Sequence, residues 1–113
     1  MKKIAACCSP ATPHDTPENR ERYWQMARAL GNPARLEIVS FLRSHAGCFT
    51  GNIVNSLPLA QATVSQHLKV LRSAGIIQGT TSGPATSYCL DARSLEWFAE
   101  QTRTMIPPGG SDA

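Results

Sequence analysis

The feature that most constrains the fold is a pair of short predicted helices separated by a proline. Residues 49–56 and residues 61–73 both fit a helical pattern, and Pro58 stops the first of them. The second helix carries an apolar stripe at positions i, i+4 and i+7, formed by Val64, Leu68 and Leu71. Two helices joined by a tight turn are typical of a helix-turn-helix unit.

A change of hydrophobic period follows that unit. Gly75 supplies a helix stop, and residues 76–81 and 86–90 then read as two short strands. Residues 82–85 between them, Ser-Gly-Pro-Ala, have the composition of a turn, so the two runs predict a β-hairpin. A helix-turn-helix followed by a hairpin indicates a winged helix-turn-helix.

Three further helices complete the prediction. Residues 18–30 form the first helix, and Asn32-Pro33 supplies an N-cap and a first-position proline for the second. Asp91 caps a last helix over residues 92–106. The predicted fold is therefore mainly α with a small β-hairpin, in the order α-α-α-α-β-β-α.

The length of 113 residues is enough for one domain with a modest core. We expect this domain to span residues 18–106. Residues 1–17, which contain three prolines and two adjacent cysteines, are predicted to be a flexible tail. Residues 107–113 are predicted to be a disordered tail. No segment approaches the roughly 20 apolar residues of a membrane span, so no membrane partner is expected.

Charge is distributed unevenly along the chain. The net charge is +3, and residues 38–90 contain no Asp or Glu, whereas Arg43, Lys69 and Arg72 lie within this stretch. A polyanion therefore meets least repulsion in the middle of the chain, which favours a nucleic-acid partner. The alternative is a region that is merely neutral and rich in Ser, Thr and Gln.

The second helix of the helix-turn-helix exposes side chains suited to reading DNA. Glutamine can pair with adenine, and Ser or Thr can serve several bases. Two basic side chains one turn apart suit backbone phosphates. The candidate DNA-binding residues are Gln61, Thr63, Ser65, Gln66, His67, Lys69 and Arg72. The alternative is a solvated polar face on which His67 is packed or caps a helix.

Residues 57–71, LPLAQATVSQHLKVL, resemble the recognition-helix signature of the ArsR/SmtB family of metalloregulatory repressors. Residues 29–36, ALGNPARL, are similar to that family's junction between the first two helices. Gly83-Pro84 and residues 88–90 are similar to its wing and return strand. The resemblance covers roughly residues 20–100. It implies a dimeric winged-helix repressor that leaves double-stranded operator DNA when a toxic ion or another inducer binds.

The resemblance also implies that the first and last helices form the dimer interface. Aromatic and apolar stripes on these helices fit such a seam. The candidate interface residues are Tyr23, Trp24, Ala27, Leu95, Phe98, Thr102 and Met105. On the last helix they repeat at intervals of 3, 4 and 3, which is typical of a seam for another helix. The same side chains could pack within one chain, and we expect some of each.

Two inducer sites known in the family do not match this chain. One uses Cys-Val-Cys on the third helix, where this chain has Cys48-Phe49-Thr50 with a single thiol. The other uses histidine with carboxylates on the last helix, where this chain has Asp91, Glu96 and Glu100 but no histidine. A zinc or nickel site of the latter type is therefore not expected.

Thiol chemistry remains, and Cys7, Cys8 and Cys48 are the candidate metal ligands. Trivalent arsenic and antimony are thiophilic and take three sulfurs. Cys48 is predicted at or just before the N-terminus of the third helix, where the helix dipole stabilises a thiolate. The tail can reach Cys48 of its own chain or of the partner. Resemblance to N-terminal-cysteine arsenical repressors favours the partner.

The sequence thus predicts a cytoplasmic, homodimeric repressor that is not an enzyme, has no constitutive cofactor and responds to As(III) or Sb(III). Four cysteines are too few for a disulfide-stapled secreted domain, so free thiols are expected. Cys89 should point away from Tyr88 and Leu90, and its role is left open between a spare thiol and a further ligand. Cadmium and lead are not wholly excluded. The alternative is a redox-sensing repressor of the same fold, switched by disulfide exchange among Cys7, Cys8 and Cys48.

Overall fold

The computed structural model describes residues 16–82 and 85–106. Within these ranges the order of elements is α1 (Pro17–Leu30), α2 (Pro33–Ser44), β1 (Cys48–Thr50), α3 (Ile53–Ser56), α4 (Gln61–Ser73), β2 (Ile77–Ser82), β3 (Ala85–Leu90) and α5 (Ala92–Met105). No helix in the part described has the length and apolar content needed to cross a membrane. The winged helix-turn-helix prediction is confirmed, with one strand more than expected.

The predicted starts of α2 and α5 agree with the structure because each is encoded by a local capping residue. The Asn32 side chain accepts hydrogen bonds from the amides of Ala34 and Arg35, at 2.9 and 3.2 Å. The Asp91 carboxylate accepts from the Ser94 amide at 3.1 Å. Helix α1 begins one residue earlier than predicted, because Thr16 is its N-cap.

The predicted N-terminal tail is therefore too long at its inner end. Pro17 is the first residue of α1, and Thr16 is its N-cap. Residues 1–15, which include Cys7 and Cys8, lie outside the described residues, as do the predicted C-terminal tail over residues 107–113 and the wing tip at residues 83–84.

The prediction for the third helix is wrong over its first half. Residues Cys48–Thr50 form strand β1, and only Ile53–Ser56 are helical. Gly51, at φ +131°, separates the two elements. The Phe49 ring packs against Phe41 at 4.9 Å between centroids, and its backbone pairs with Tyr88. These tertiary contacts outweigh the local helical pattern. Cys48 is therefore not at a helix N-terminus, and the dipole effect expected on its thiolate is absent.

The three strands form one antiparallel sheet in the order β1-β3-β2. In the register, Phe49 pairs with Tyr88, and Cys48 pairs with Cys89. Because neighbouring residues on a strand face opposite ways, Phe49 and Tyr88 pack on the core, whereas Cys48 and Cys89 lie on the outer face. The expected orientation of Cys89 is thus confirmed.

The core lies between the helices and the inner face of the sheet. The predicted stripe of α4, Val64, Leu68 and Leu71, is buried there. Its other fully or nearly fully buried members are Met26, Ala29, Ile38, Leu42, Ile53, Leu57, Ile76 and Ile77. Burial of one face of α4 orients the opposite face outward.

Candidate DNA-binding surface and cysteine pair

The outer face of α4 presents polar and basic side chains. Residues Gln61, Thr63, Ser65, Gln66, Lys69 and Arg72 are all exposed. Helix α4 has no side-chain hydrogen bond at its N-cap, Ala60, so the first amides of this helix are open to a phosphate oxygen. Six of the seven residues predicted to contact DNA thus lie on one accessible surface.

His67 is the exception on this helix. It is half-buried, and its Nδ1 lies 3.2 Å from Nη1 of Arg35 on α2. Since a guanidinium can only donate, this Nδ1 is the acceptor. Arg35 in turn donates from Nε to the Ala29 carbonyl at 2.6 Å. The contact with Arg35 favours the packed alternative for His67, because it ties α4 to the α1–α2 junction.

The turn between α3 and α4 is held by side chains as well as by the core. Gln61 Nε2 donates to Asn55 Oδ1 at 3.0 Å. Leu57, between the two helices, is buried. The Asn55–Gln61 bond and the burial of Leu57 therefore hold α3 and α4 together.

An open groove of about 630 Å³ runs beside α4. Ser65, Gln66, Lys69 and Arg72 line one wall, and Val54 and Tyr88 line the rest. Both the helix-turn-helix and the sheet thus contribute to one surface. Arg28, Arg35 and Lys69 line a second cavity of about 490 Å³ between α1, α2 and α4. The contribution of Arg35 could not be found from sequence, because its position depends on how α1 and α2 pack on α4.

A disulfide joins Cys48 of β1 to Cys89 of β3. The expectation that all four cysteines are free thiols is therefore wrong for this pair, and Cys89 is not a spare thiol. The two residues are direct cross-strand partners with a Cα–Cα distance of 4.0 Å. Beside them, the Leu90 amide donates a hydrogen bond to the Gly47 carbonyl at 2.7 Å. In an antiparallel ladder this makes Cys48 and Cys89 a non-hydrogen-bonded pair, the type of pair in which the side chains lie closer together. The missed signal was the short Cys-Phe-Thr run between Gly47 and Gly51.

Cys48 is exposed and lies on an edge strand, and Cys89 is half-buried on the central strand. Cys7 and Cys8, the other two predicted ligands, lie outside the described residues. Among residues 16–82 and 85–106, no three His, Cys, Asp or Glu side chains are grouped so that they could hold a metal ion. The structure therefore brings one predicted ligand, Cys48, together with Cys89, a cysteine outside the predicted ligand set.

Two of the three carboxylates considered near the last helix, Asp91 and Glu100, have structural partners. Asp91 accepts a hydrogen bond from Gln78 Nε2 at 3.0 Å and caps α5 through the Ser94 amide. The Gln78 bond, followed by the Ser94 bond, lowers the pKa of Asp91 below its usual value. Glu100 forms an ion pair with Arg103 at 2.7 Å.

Three of the seven predicted dimer residues, Tyr23, Phe98 and Thr102, contact one another within the chain. The Tyr23 ring stacks on Phe98 at 4.6 Å, and its hydroxyl lies 2.8 Å from Thr102 Oγ1. Leu95 also packs on the core, and Ala27 and Met105 are half-buried. Trp24 is 47% exposed, with its indole donating to Glu21. The intramolecular half of the expectation is confirmed, and the dimer interface stays a prediction.

Sequence reasoning missed Gln101 of α5. This side chain is 1% exposed, and its Nε2 has no hydrogen-bond partner among the described residues. A polar residue in the helical pattern gave no sign of burial, because the depth of this position depends on how α5 packs.

Comparisons with known proteins agree with this geometry. Residues 32–78 match the model of the family "Bacterial regulatory protein, arsR family". The HTH-type transcriptional repressor SmtB of Mycobacterium tuberculosis H37Rv is 41% identical over 66 residues, which cover 58% of this chain and 48% of that protein. The matched region is thus about half the length of this relative.

Two more relatives match over most of their length. The uncharacterized HTH-type transcriptional regulator MJ1325 of Methanocaldococcus jannaschii is 31% identical over 71 residues, covering 63% of this chain and 80% of that protein. A solved structure described as a possible transcriptional regulator for arsenical resistance has a TM-score of 0.61 and 27% identity, with 74% and 85% of the two chains covered. This chain therefore belongs to the ArsR family of bacterial regulatory proteins, a family of transcriptional regulators and not of enzymes.

Proposed function

We propose that this protein is a cytoplasmic, homodimeric repressor that binds double-stranded operator DNA and is released by As(III) or Sb(III). The observation that carries the DNA-binding part is the exposed polar and basic face of α4 above a fully buried stripe. The names of two similar proteins support repression and an arsenical inducer, since one is called a repressor and the other a possible transcriptional regulator for arsenical resistance.

DNA contact divides between two kinds of side chain. Ser65 and Gln66, near the start of α4, reach base edges in the major groove. Lys69 and Arg72, one turn further along, contact backbone phosphates. The open amides of the first turn of α4 add a further phosphate contact. The exposure of Ser65 and Gln66 supports this assignment.

Inducer recognition rests on sulfur donors. In the reduced protein, Cys48 provides one exposed sulfur on β1, and Cys7 and Cys8 supply the other two. β1 passes through Gly51 and Asn52 directly into α3, and α3 is tied to α4 through Asn55 and Gln61. Binding of an ion by Cys48 together with the N-terminal cysteines would therefore act on β1 and α3, the segment that orients α4. A small tilt is sufficient for release, because both half-sites of an inverted repeat must be met together.

The test is operator binding by fluorescence anisotropy, under reducing conditions, with arsenite, antimonite, cadmium or zinc added. We expect arsenite or antimonite to release the wild-type protein. The Cys7→Ser, Cys8→Ser and Cys48→Ser variants should keep their operator affinity and lose this response. Because the coupling between two binding sites is reciprocal, operator DNA should weaken ion binding by the same factor by which the ion weakens operator binding. An operator affinity that saturating arsenite and antimonite leave unchanged would refute the proposed inducer.

A matched pair of variants tests the DNA surface separately. Gln66→Ala removes an exposed amide from α4 and should weaken operator binding about tenfold or more, the usual cost of one lost base contact. Ser40→Ala, an equally exposed change on α2, should leave operator affinity unchanged. Equal affinities of the two variants would contradict the role of α4.

The Cys48–Cys89 disulfide favours a second candidate function, a redox-sensing repressor of the same fold. In that case peroxide alone would release the operator, and a thiol reductant would restore binding. Arsenite would have no effect on the reduced protein, so the same anisotropy assay distinguishes the two candidates.

A further inference from the structure

We infer that Cys48 and Cys89, when reduced, form a two-sulfur site that binds trivalent arsenic carrying one carbon substituent, without help from Cys7 or Cys8. The inference deepens the proposed function, on which it rests for its regulatory meaning, because it adds Cys89 to the folded part of the inducer site. It makes Cys89 a ligand residue and names monosubstituted arsenicals as the ligand class.

The first argument is the spacing of the two sulfurs. Cys48 and Cys89 are direct cross-strand partners with Cα atoms 4.0 Å apart, and both face outward. The backbone holds this spacing independently of the disulfide, since the Leu90 amide bonds to the Gly47 carbonyl at 2.7 Å. After reduction the two thiols stay side by side. Binding of a ligand that needs two neighbouring sulfurs therefore loses little conformational entropy, because the two sulfurs are already held close together.

The second argument is the space beside Cys48. A cavity of about 540 Å³ adjoins this residue. Its walls are mainly apolar, with Ala46, Leu90 and Leu95 among the lining residues, and Glu96 is its one charged member. The cavity has room for a small alkyl or aryl group beside Cys48. Inorganic arsenite has no such group to place.

The third argument is the valence of arsenic. A compound R–As(OH)₂ reacts with two thiols to give R–As(S)₂ and two molecules of water. Two As–O bonds and two S–H bonds break, two As–S bonds form, and no electrons are transferred. Because carbon occupies the third valence, two sulfurs complete the site. Zinc would want four ligands, which the described residues around this pair do not provide.

The disulfide is the closed form of the same site. Opening it takes two electrons from a dithiol or a phosphine, and two protons that come from the dithiol or, with a phosphine, from the water whose oxygen the phosphine takes up. The products are the two thiols that the arsenical needs. Oxidised protein should therefore not bind the arsenical at this site.

The experiment uses the full chain with Cys7→Ser and Cys8→Ser, so that Cys48 and Cys89 are its only thiols. Phenylarsine oxide is titrated into the reduced protein, and binding is followed by the loss of titratable thiols and by intact mass. We expect one phenylarsenic per chain and the loss of both thiols. The disulfide form of the same variant should bind none.

Addition of Cys89→Ser should weaken binding about a hundredfold or more, because the second sulfur is no longer held at high effective concentration. Cys48→Ser should weaken phenylarsine oxide binding by a similar factor. Because Cys48 lies at an exposed edge position, this variant controls for a folding defect caused by Cys89→Ser. Ser87→Ala, also on the outer face of β3, should bind as tightly as the parent.

Full binding by the Cys89→Ser variant, or no binding by the reduced parent, would overturn the inference. The binding measurement does not involve DNA. Its outcome can therefore be distinguished from success or failure of the proposed function. If the parent binds phenylarsine oxide while wild-type protein ignores arsenite and antimonite on its operator, the two-sulfur site stands and the proposed inducer fails.

Discussion

Reduction of the Cys48–Cys89 disulfide should lower the free energy of unfolding by about 4 kcal/mol. The two cysteines are 41 residues apart in sequence. Closing a loop of that length removes about 13 cal/mol/K of entropy from the unfolded chain, or about 4 kcal/mol at 25 °C, in the chain-entropy description. The folded state changes little, because hydrogen bonds such as Leu90 to Gly47 continue to pair β1 with β3.

The assay is urea unfolding of the Cys7→Ser, Cys8→Ser protein, followed by circular dichroism with and without a phosphine reductant. Protein concentration is kept constant, since the stability of a dimer depends on it. With a denaturant slope of about 1.5 kcal/mol per molar urea, the midpoint should fall by about 2.5 M on reduction. The reductant should have no effect on a chain that also carries Cys89→Ser.

If reduction lowers the free energy of unfolding by less than about 1 kcal/mol, the chain-entropy explanation is refuted. Such a small decrease would mean that β1 and β3 remain associated in the unfolded chain, or that the bond is offset by a cost in the folded state. A reduced protein that unfolds entirely without urea would also contradict the proposed function, because the thiol form must stay folded to bind DNA.

Three further predictions follow from the same structure. The pKa of Asp91 is lowered by its bonds to Gln78 and the Ser94 amide, so its stabilising effect is present above the usual pKa of aspartate and is lost as pH falls through the lower folded value; urea midpoints in an acid series should show this loss, and Asp91→Asn should remove it. Leu71→Ala leaves a cavity at a fully buried position and should lower the free energy of unfolding by about 2–5 kcal/mol in the same urea assay. A decrease of less than about 1 kcal/mol would contradict tight packing at this position. Residues 76–90 contain no Lys or Arg, so the wing adds few phosphate contacts; the slope of log K against log salt for operator binding should be no steeper than about −8 for the dimer.

Features encoded by neighbouring residues could be predicted from the sequence. The bounds of α4, Gln61–Ser73, agree with prediction because its stripe and its stop lie within one segment. The caps at Asn32 and Asp91 are likewise local, since each side chain bonds to amides two or three residues ahead. The hairpin followed from a change of period and a turn composition. The polar face of α4 followed from the stripe, because burying one side exposes the other.

Features that depend on distant residues could not be predicted in the same way. The segment Cys48–Thr50 is a strand because β3, about forty residues later in the chain, pairs with it. Its neighbours in sequence favoured a helix. The packing of His67 on Arg35 and the burial of Gln101 also depend on how separate helices meet.

The amino-acid sequence by itself determined the family, through its resemblance to known motifs. It also determined most of the order of helices and the exposed polar face of α4, since these follow from periodicity and capping over a few turns. Only the tertiary structure decided that Cys48 and Cys89 are neighbours. A sheet register brings together residues that no local pattern links, and the closeness of two sulfurs is a property of that register.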